Sequence, residues 1–176
     1  LNDMLDGLIL NRTPHIKLYN ELKPSASQPV QLASTYKDSY HFIRSIKPDA
    51  GRLEIYNVEP IMSAISKDDR VLGIAPKIST QVFYTVGAVD IAGMINGVDV
   101  DAENKLYYFS TYVTAGNYID LKNIPNSIIL GKAAADKMLA KIGDVDQVTT
   151  VTGEKQQLKV VGYFQSGIND IDKVQS

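Results

Sequence analysis

Hydrophobic positions follow their clearest pattern between residues 125 and 167. A short apolar run over residues 128–130 predicts a buried strand, which meets Gly131 and passes into a helix. We expect Gly143 to end this helix, because glycine readily adopts the left-handed conformation of a helix cap. The apolar stripe of the predicted helix consists of Ala134, Ala135, Met138, Leu139 and Ile142.

Two strands are predicted after this helix. They should meet in a tight turn at Thr152-Gly153-Glu154, where Gly153 can take a positive φ. The second strand, over residues 158–164, is apolar enough to lie centrally in a sheet. This part of the chain therefore reads as a folding scaffold rather than as a reactive site.

The first residues of the chain also show a helical pattern. Thr13-Pro14 should end this helix, because proline disfavours the helical conformation of the preceding residue. Since the pattern is already under way at the first residue, we expect the chain to be a fragment of a longer protein. The pattern comprises Leu1, Met4, Leu5, Leu8 and Ile9.

Strand and helix patterns alternate over the next segments. Residues 15–22, 53–56 and 71–75 predict strands, and residues 23–39 lack periodicity and predict a surface loop. Asn57 is a candidate cap for a helix. The predicted order is a split β-α-β arrangement. The buried stripe of its helix should be Val58, Ile61, Met62 and Ile65.

Strands dominate the pattern from residue 78 onward. Residues 78–95 are apolar and β-branched, with Gly87 and Gly93 as expected bulges or turns. A turn is predicted over residues 96–99, followed by a strand over residues 106–113.

This last strand carries the most interesting surface candidates. Tyrosine and phenylalanine are enriched in protein–protein contacts, so its aromatic residues are candidate partner-contact positions. Neighbours on a strand point to opposite faces, and at most half of the group could share one surface. The alternative is that one face packs in the core and the other is merely half-exposed. The group is Tyr107, Tyr108, Phe109 and Tyr112 of this strand, together with Tyr118 from the segment that follows.

Composition places the chain among ordinary globular proteins. Its 176 residues fit one domain or two small ones, with 44% hydrophobic and 22% charged residues. A net charge of −2 gives no overall footprint for nucleic acid or for an anionic membrane surface. The most apolar stretch, residues 82–95, is shorter than the roughly 18 residues of a membrane span and contains Asp90.

No catalytic centre emerges from the residue types. The absence of cysteine excludes disulfides, a thiol nucleophile and cysteine-based metal sites. The two histidines, His15 and His41, have no Gly-x-Ser-x-Gly motif to serve. The prediction is therefore no catalytic residue, no cofactor and no metal.

Two motif fragments could suggest ligands. Gly131-Lys132 is like the end of a phosphate loop, but the required earlier glycine and following hydroxyl residue are replaced by Asn126 and Ala133. A simple strand-to-helix turn is the better interpretation.

A second fragment is the alternating acids Asp99, Asp101 and Glu103. They lack the glycine and glutamate of a calcium loop, whose places hold Asn104 and Ser110. They predict a solvated acidic loop.

Several segments, taken together, resemble one family. Their order and spacing are similar to the periplasmic core domain of MacB/LolC/LolE/FtsX-like ABC transporter permeases. The long segment of residues 23–39 and Lys132 depart from the family pattern. The segments that carry the resemblance are residues 11–16, 71–78, 95–99, 127–135, 142–144 and 160–167.

The resemblance implies an α+β domain of two lobes. One, β-α-β-rich and built from both chain ends, would comprise residues 1–80 and 158–176. The other, an inserted and mainly β lobe with one helix, would comprise residues 81–157. Such a domain has no catalytic residues and lies on the periplasmic side of the bacterial inner membrane, while a separate ATPase subunit or domain hydrolyses ATP.

The implied partners follow from that role. They are the cognate ABC ATPase, a second permease copy or paralogue, and a lipoprotein, peptide or drug cargo, a periplasmic adaptor or a cell-wall hydrolase; nucleic acid is not among them. Residues 23–39 and the aromatic group are the expected contact surfaces. The alternative is a free-standing soluble binding or assembly module with no transporter link.

Overall fold

The computed structural model describes residues 14–21, 23–25, 28–36, 38–40, 54–86, 89–167, 172–173 and 176. The chain divides into two compact units, Pro14–Asp68 and a larger one that includes Asp69–Ser176. None of the helices in the described ranges combines the length and apolar character needed to cross a bilayer. The helix predicted over residues 1–9 lies outside the described residues, as do Gly87 and His41.

In its described residues, the smaller unit contains two helices, α1 (Pro29–Leu32) and α2 (Val58–Ile65), and a 3-10 turn at Ser34–Tyr36. The Gln28 N–H donates to the Gln31 side chain at 2.9 Å, which caps the first turn of α1. The prediction of a loop without regular structure over residues 23–39 is therefore wrong where α1 and the 3-10 turn form.

Helix α2 is confirmed, but its predicted cap and stripe are not. Asn57 lies in the left-handed region with φ 59° and its side chain makes no cap hydrogen bond. No residue of α2 is fully buried, and Val58 and Ile61 are exposed. The apolar stripe of this helix is thus at most half-covered.

Three predicted strands of this half are wrong where the structure describes them: residues 15–21, 54–56 and 71–75 are irregular. An alternating pattern does not by itself supply the hydrogen-bonded neighbour that a strand requires. Gly73 instead packs against a side chain, since a Cβ on it would lie 2.9 Å from Leu106 Cδ2.

The larger unit is organised around a six-stranded sheet, which confirms the α+β class. Its strand order is β2-β1-β5-β6-β3, and β4 pairs with β6. The β4–β6 pair is parallel and the other pairs are antiparallel. The strands are β1 (Lys77–Val86), β2 (Val89–Val98), β3 (Val113–Gly116), β4 (Ser127–Gly131), β5 (Val145–Thr150) and β6 (Lys155–Phe164).

Four further helical elements connect these strands. Helix α3 (Val100–Tyr107) follows β2, and a 3-10 turn, Phe109–Thr111, links it to β3. Helices α4 (Asp120–Asn123) and α5 (Lys132–Met138) flank β4.

Strands β1 and β2 form a continuous hairpin, with pairs running from Lys77↔Val98 to Val86↔Val89. Gly93 lies opposite Val82 in this regular ladder, so it is neither the bulge nor the turn that was predicted. The turn predicted over residues 96–99 is also wrong, because residues 96–98 continue β2.

Strand β6 occupies the central position predicted from its sequence, since it pairs with β3, β4 and β5. The predicted turn between β5 and β6 is confirmed. Gly153 has φ 88° and donates its N–H to the Thr150 carbonyl at 2.9 Å. Glycine avoids the steric cost of this positive φ.

The hydrophobic core lies where α5 packs on the sheet. Helix α5 contributes Ala134, Ala135 and Met138, as its stripe predicted. Leu130 on β4 and Val160 on β6 have no exposed surface. The other buried members of the cluster are Val82, Tyr84, Ile128 and Val148.

The last part of the α5 stripe is a wrong prediction. Leu139, not Gly143, takes the left-handed cap position, with φ 56°, and both Leu139 and Ile142 are exposed. The helix ends early because the following chain pairs with β6. Gly143 donates its N–H to the Val160 carbonyl at 2.8 Å, and the Val160 N–H donates to the Asp144 carbonyl at 2.9 Å.

The strands of the sheet all belong to the larger unit. The sheet extends from Lys77 to Phe164, so residues 158–164 share it with residues 81–157. The two expected lobes, residues 1–80 with 158–176 and residues 81–157, stay a prediction.

Candidate partner-contact site

Helix α3 begins with a side-chain cap. The Asp99 carboxylate accepts a hydrogen bond from the Ala102 N–H at 3.0 Å, and Asp101 and Glu103 lie in the first turn. Acidic residues there interact favourably with the helix dipole. The alternating acids are therefore a helix start and not the loop predicted from their spacing.

These acids do not gather into a metal site. Within the described ranges, no group of three or more histidine, aspartate or glutamate side chains is placed to hold a metal ion. Asp101 instead forms an exposed ion pair with Lys122 at 2.5 Å. Exposed pairs of this kind contribute little to stability.

The aromatic group (Tyr107, Tyr108, Phe109, Tyr112 and Tyr118) follows this helix, and its predicted strand is wrong. Tyr107 is the last residue of α3, Tyr108 has a left-handed backbone with φ 53°, and Phe109 starts the 3-10 turn. These side chains therefore do not alternate between the two faces of a strand.

Asn104 holds the chain in this turn. Its carbonyl accepts from the Tyr108 N–H at 3.0 Å, and its side-chain oxygen accepts from the Ser110 N–H at 2.8 Å. Its side-chain nitrogen donates to the Tyr118 hydroxyl at 3.2 Å. Sequence reasoning did not assign this role to Asn104. The available signal was the ability of asparagine to satisfy backbone groups where a helix ends.

Exposure separates the members of the aromatic group. Tyr108 is 56% exposed, while Tyr107, Phe109, Tyr112 and Tyr118 are half-buried. Asparagine is more usual than tyrosine at a left-handed position, because a large side chain carries a steric cost there. Among the five aromatic residues, Tyr108 therefore has the most exposed side chain, and the other four are partly buried.

A backbone hydrogen bond joins the aromatic group to the chain just beyond β6. Gln165, just beyond β6, donates its N–H to the Tyr112 carbonyl at 2.8 Å.

Burial raises the pKa of Tyr107, and the nearby Glu103 carboxylate adds to this effect. Burial also raises the pKa of Glu103, an effect that Lys77 opposes. Tyr107 therefore remains a neutral phenol at physiological pH.

Tyr84 on β1 and Asp146 on β5 are two polar residues whose pKa values are raised. Tyr84 shares a hydrogen bond with the Ser176 side chain, and burial raises its pKa to about 12. Burial also raises the pKa of Asp146, and one of its carboxylate oxygens has no hydrogen-bond partner among the described residues. Tyr84 belongs to the hydrophobic core, while Asp146 and Ser176 are half-buried.

The other residues singled out in the sequence are Lys132, Gly131 and His15. Lys132 pairs with Asp136 at 2.5 Å and lies 5.2 Å from the centre of the Tyr163 ring. Gly131 ends β4 and α5 follows directly, which confirms the strand-to-helix interpretation. His15 is exposed.

The chain is similar to a protein of known structure. No family model and no curated protein matches the sequence. The chain is similar to the extracellular domain of the noncanonic ABC-type transporter YknZ from Gram-positive bacteria, at 17% identity and a TM-score of 0.48. The match covers 62% of this chain and 58% of that domain, so the chain spans less than two thirds of it.

Proposed function

We propose that the chain is the extracytoplasmic domain of an ABC transporter permease and has no catalytic role of its own. A separate cytoplasmic ATPase subunit or domain supplies the energy, and the domain engages a lipoprotein, peptide or drug cargo or a partner protein outside the membrane. A second permease copy or paralogue completes the transporter. In a bacterium this places the domain on the periplasmic side of the inner membrane.

The carrying observation is that three segments resembling the permeases pack as one structure. Residues 127–135 form β4 and the start of α5, and β4 pairs in parallel with β6. Gly143 and Asp144 exchange backbone hydrogen bonds with Val160 of β6. Matches that arose by chance along the chain would have no reason to meet in one packed unit. This contiguity supports the family interpretation.

The aromatic group supplies the contact surface in this proposal. Tyr108 offers an exposed ring, and the Asn104 hydrogen bonds hold the backbone that carries it. A preorganised aromatic side chain is a favourable anchor for a protein partner, because little conformational entropy is lost on binding. The coupling to ATP hydrolysis would be a shift between two arrangements of the extracytoplasmic part.

The first test uses the protein expressed from its natural gene with a small affinity tag. We expect it in the membrane fraction and expect an ABC ATPase, identified by a Walker A peptide and by ATP hydrolysis, to copurify in detergent. The tagged 176-residue chain alone is the control and should not retain the ATPase. Recovery of the natural product in the soluble fraction without an ATPase would overturn the proposal and favour a free-standing binding module.

The second test addresses the contact surface. We expect a photoreactive benzoylphenylalanine at position 108 of the natural gene product to form covalent adducts with an extracytoplasmic protein in intact cells. The matched control carries the same group at Tyr56, which is also exposed. Mass spectrometry of the adducts checks the result. Equal adducts from both positions, or none from position 108, would contradict the role of the aromatic group.

A further inference from the structure

The turn between α5 and β5, residues 139–144, and the first residue of β5 expose three apolar side chains close together in the chain. Leu139 is 82% exposed, Ile142 47% and Val145 59%. A core helix would normally bury the first two, as their spacing predicted. Their exposure is therefore a feature of the tertiary structure that needs its own explanation.

The turn is held rigidly in this exposed conformation. The Ala140 N–H donates to the Ala135 carbonyl at 3.0 Å, and the Tyr163 hydroxyl donates to the Ala140 carbonyl at 2.8 Å. Gly143 is bonded to Val160 of β6 at 2.8 Å. With the backbone anchored at both ends, the apolar side chains cannot fold back into the core without breaking these bonds.

Three lysines lie near the apolar side chains, either along the chain or on the neighbouring strand. Lys137 and Lys141 flank Leu139 in the chain, and Lys159 lies directly opposite Val145 in the β5–β6 ladder. All three are exposed, and none forms a salt bridge with a residue in the described ranges. Asp144 is the only acid of the turn, and its carboxylate accepts the Lys141 N–H at 2.8 Å.

We propose that the α5–β5 turn docks on an anionic lipid surface. Apolar side chains at the tip can enter the interfacial region, while the lysine ammonium groups reach the lipid phosphates. The net charge of the chain, −2, gives no such attraction, so any attraction must come locally, from the excess of Lys137, Lys141 and Lys159 over Asp144. This inference does not depend on the transporter proposal.

The small size of the patch favours lipid over a protein partner. A stable protein–protein interface uses about 20 to 30 residues on each side. Three apolar residues and three lysines fall well short of that number. A lipid surface requires no matching shape, so a small apolar tip with surrounding positive charge is sufficient for reversible binding.

The test measures cosedimentation of the 176-residue chain with vesicles. We expect binding to vesicles of phosphatidylglycerol mixed with phosphatidylcholine, weakening as salt is raised, and little binding to pure phosphatidylcholine. Neutralising Lys137, Lys141 and Lys159 to glutamine should lower the partition coefficient about 100-fold, or roughly fivefold per lysine. The same change at the exposed Lys67, Lys105 and Lys155 is the charge-matched control and should have a much smaller effect.

A second pair of variants tests the exposed apolar side chains Leu139 and Ile142. Leu139→Asn with Ile142→Thr should lower binding by at least about tenfold. Asparagine tolerates the left-handed backbone of position 139, so folding should be preserved. Leu72→Asn with Ile78→Thr is the matched control, since these residues are 83% and 73% exposed.

Three results would overturn the inference. They are no binding to phosphatidylglycerol vesicles at low salt, equal losses in the tip and control variants, or a tip variant that changes the sedimentation coefficient of the free chain. The last result would assign the turn to contact between copies. Circular dichroism of each variant verifies that it is folded.

Discussion

Replacing Leu130 with alanine should lower the free energy of unfolding by about 2–5 kcal/mol. Leu130 lies on β4, has no exposed surface and belongs to the cluster that joins α5 to the sheet. The substitution removes buried methyl and methylene groups and leaves a cavity that close-packed neighbours fill only in part. Urea unfolding followed by circular dichroism should give a lower midpoint with an unchanged slope.

Leu72→Ala provides the control for this prediction. Leu72 is 83% exposed, and its truncation should change the unfolding free energy by no more than about 0.5 kcal/mol. If both variants unfolded at the midpoint of the parent chain, β4 would not be the buried element described above.

A second large effect is expected for Gly116→Ala, which should cost more than about 2 kcal/mol. Gly116 has φ 82°, and a Cβ placed on it would lie 2.1 Å from the Val161 carbonyl oxygen. The obstacle is backbone on β6, which cannot move aside like a flexible side chain. Among the described residues β3 pairs only with β6, so we expect the substitution to separate β3 from the sheet. Hydrogen exchange of the β3 amides should report this loss.

Gly97→Ala is the matched control. Gly97 lies on β2, and a Cβ there would have its nearest contact at 3.9 Å, to Ile78. This substitution should leave stability within about 0.5 kcal/mol of the parent chain. Equal effects of the two substitutions would show that loss of glycine flexibility, and not the close approach to Val161, controls the result.

Local patterns were sufficient for the elements whose neighbours are close in the chain. The strand at Ile128, the helix stripe at Ala134 and the tight turn at Gly153 were all predicted and are present. Each depends on a short apolar run, on helical spacing or on the conformational freedom of glycine. Helix α2 was recognised for the same reason, although Asn57 does not cap it with its side chain.

The candidate site depends on contacts that are not visible in a local pattern. Aromatic residues favour strands, and the run from Tyr107 to Tyr112 was assigned to one. The Asp99 cap starts a helix before it, and the Asn104 hydrogen bonds hold the turn after it, so helix and turn form instead. The same kind of error affected residues 71–75, where packing against Leu106 replaces strand pairing.

By itself, the sequence pattern determined the β4–α5 unit and the central place of β6, because hydrophobic periodicity specifies which faces must be buried. The α+β class was implied by the family resemblance. Only the tertiary structure decided where α5 ends, which aromatic ring is exposed and that Leu139, Ile142 and Val145 are exposed near lysines. Those outcomes depend on which distant backbone groups become hydrogen-bond partners. The Gly143–Val160 bond is one such choice, and it joins positions whose pairing no local pattern specifies.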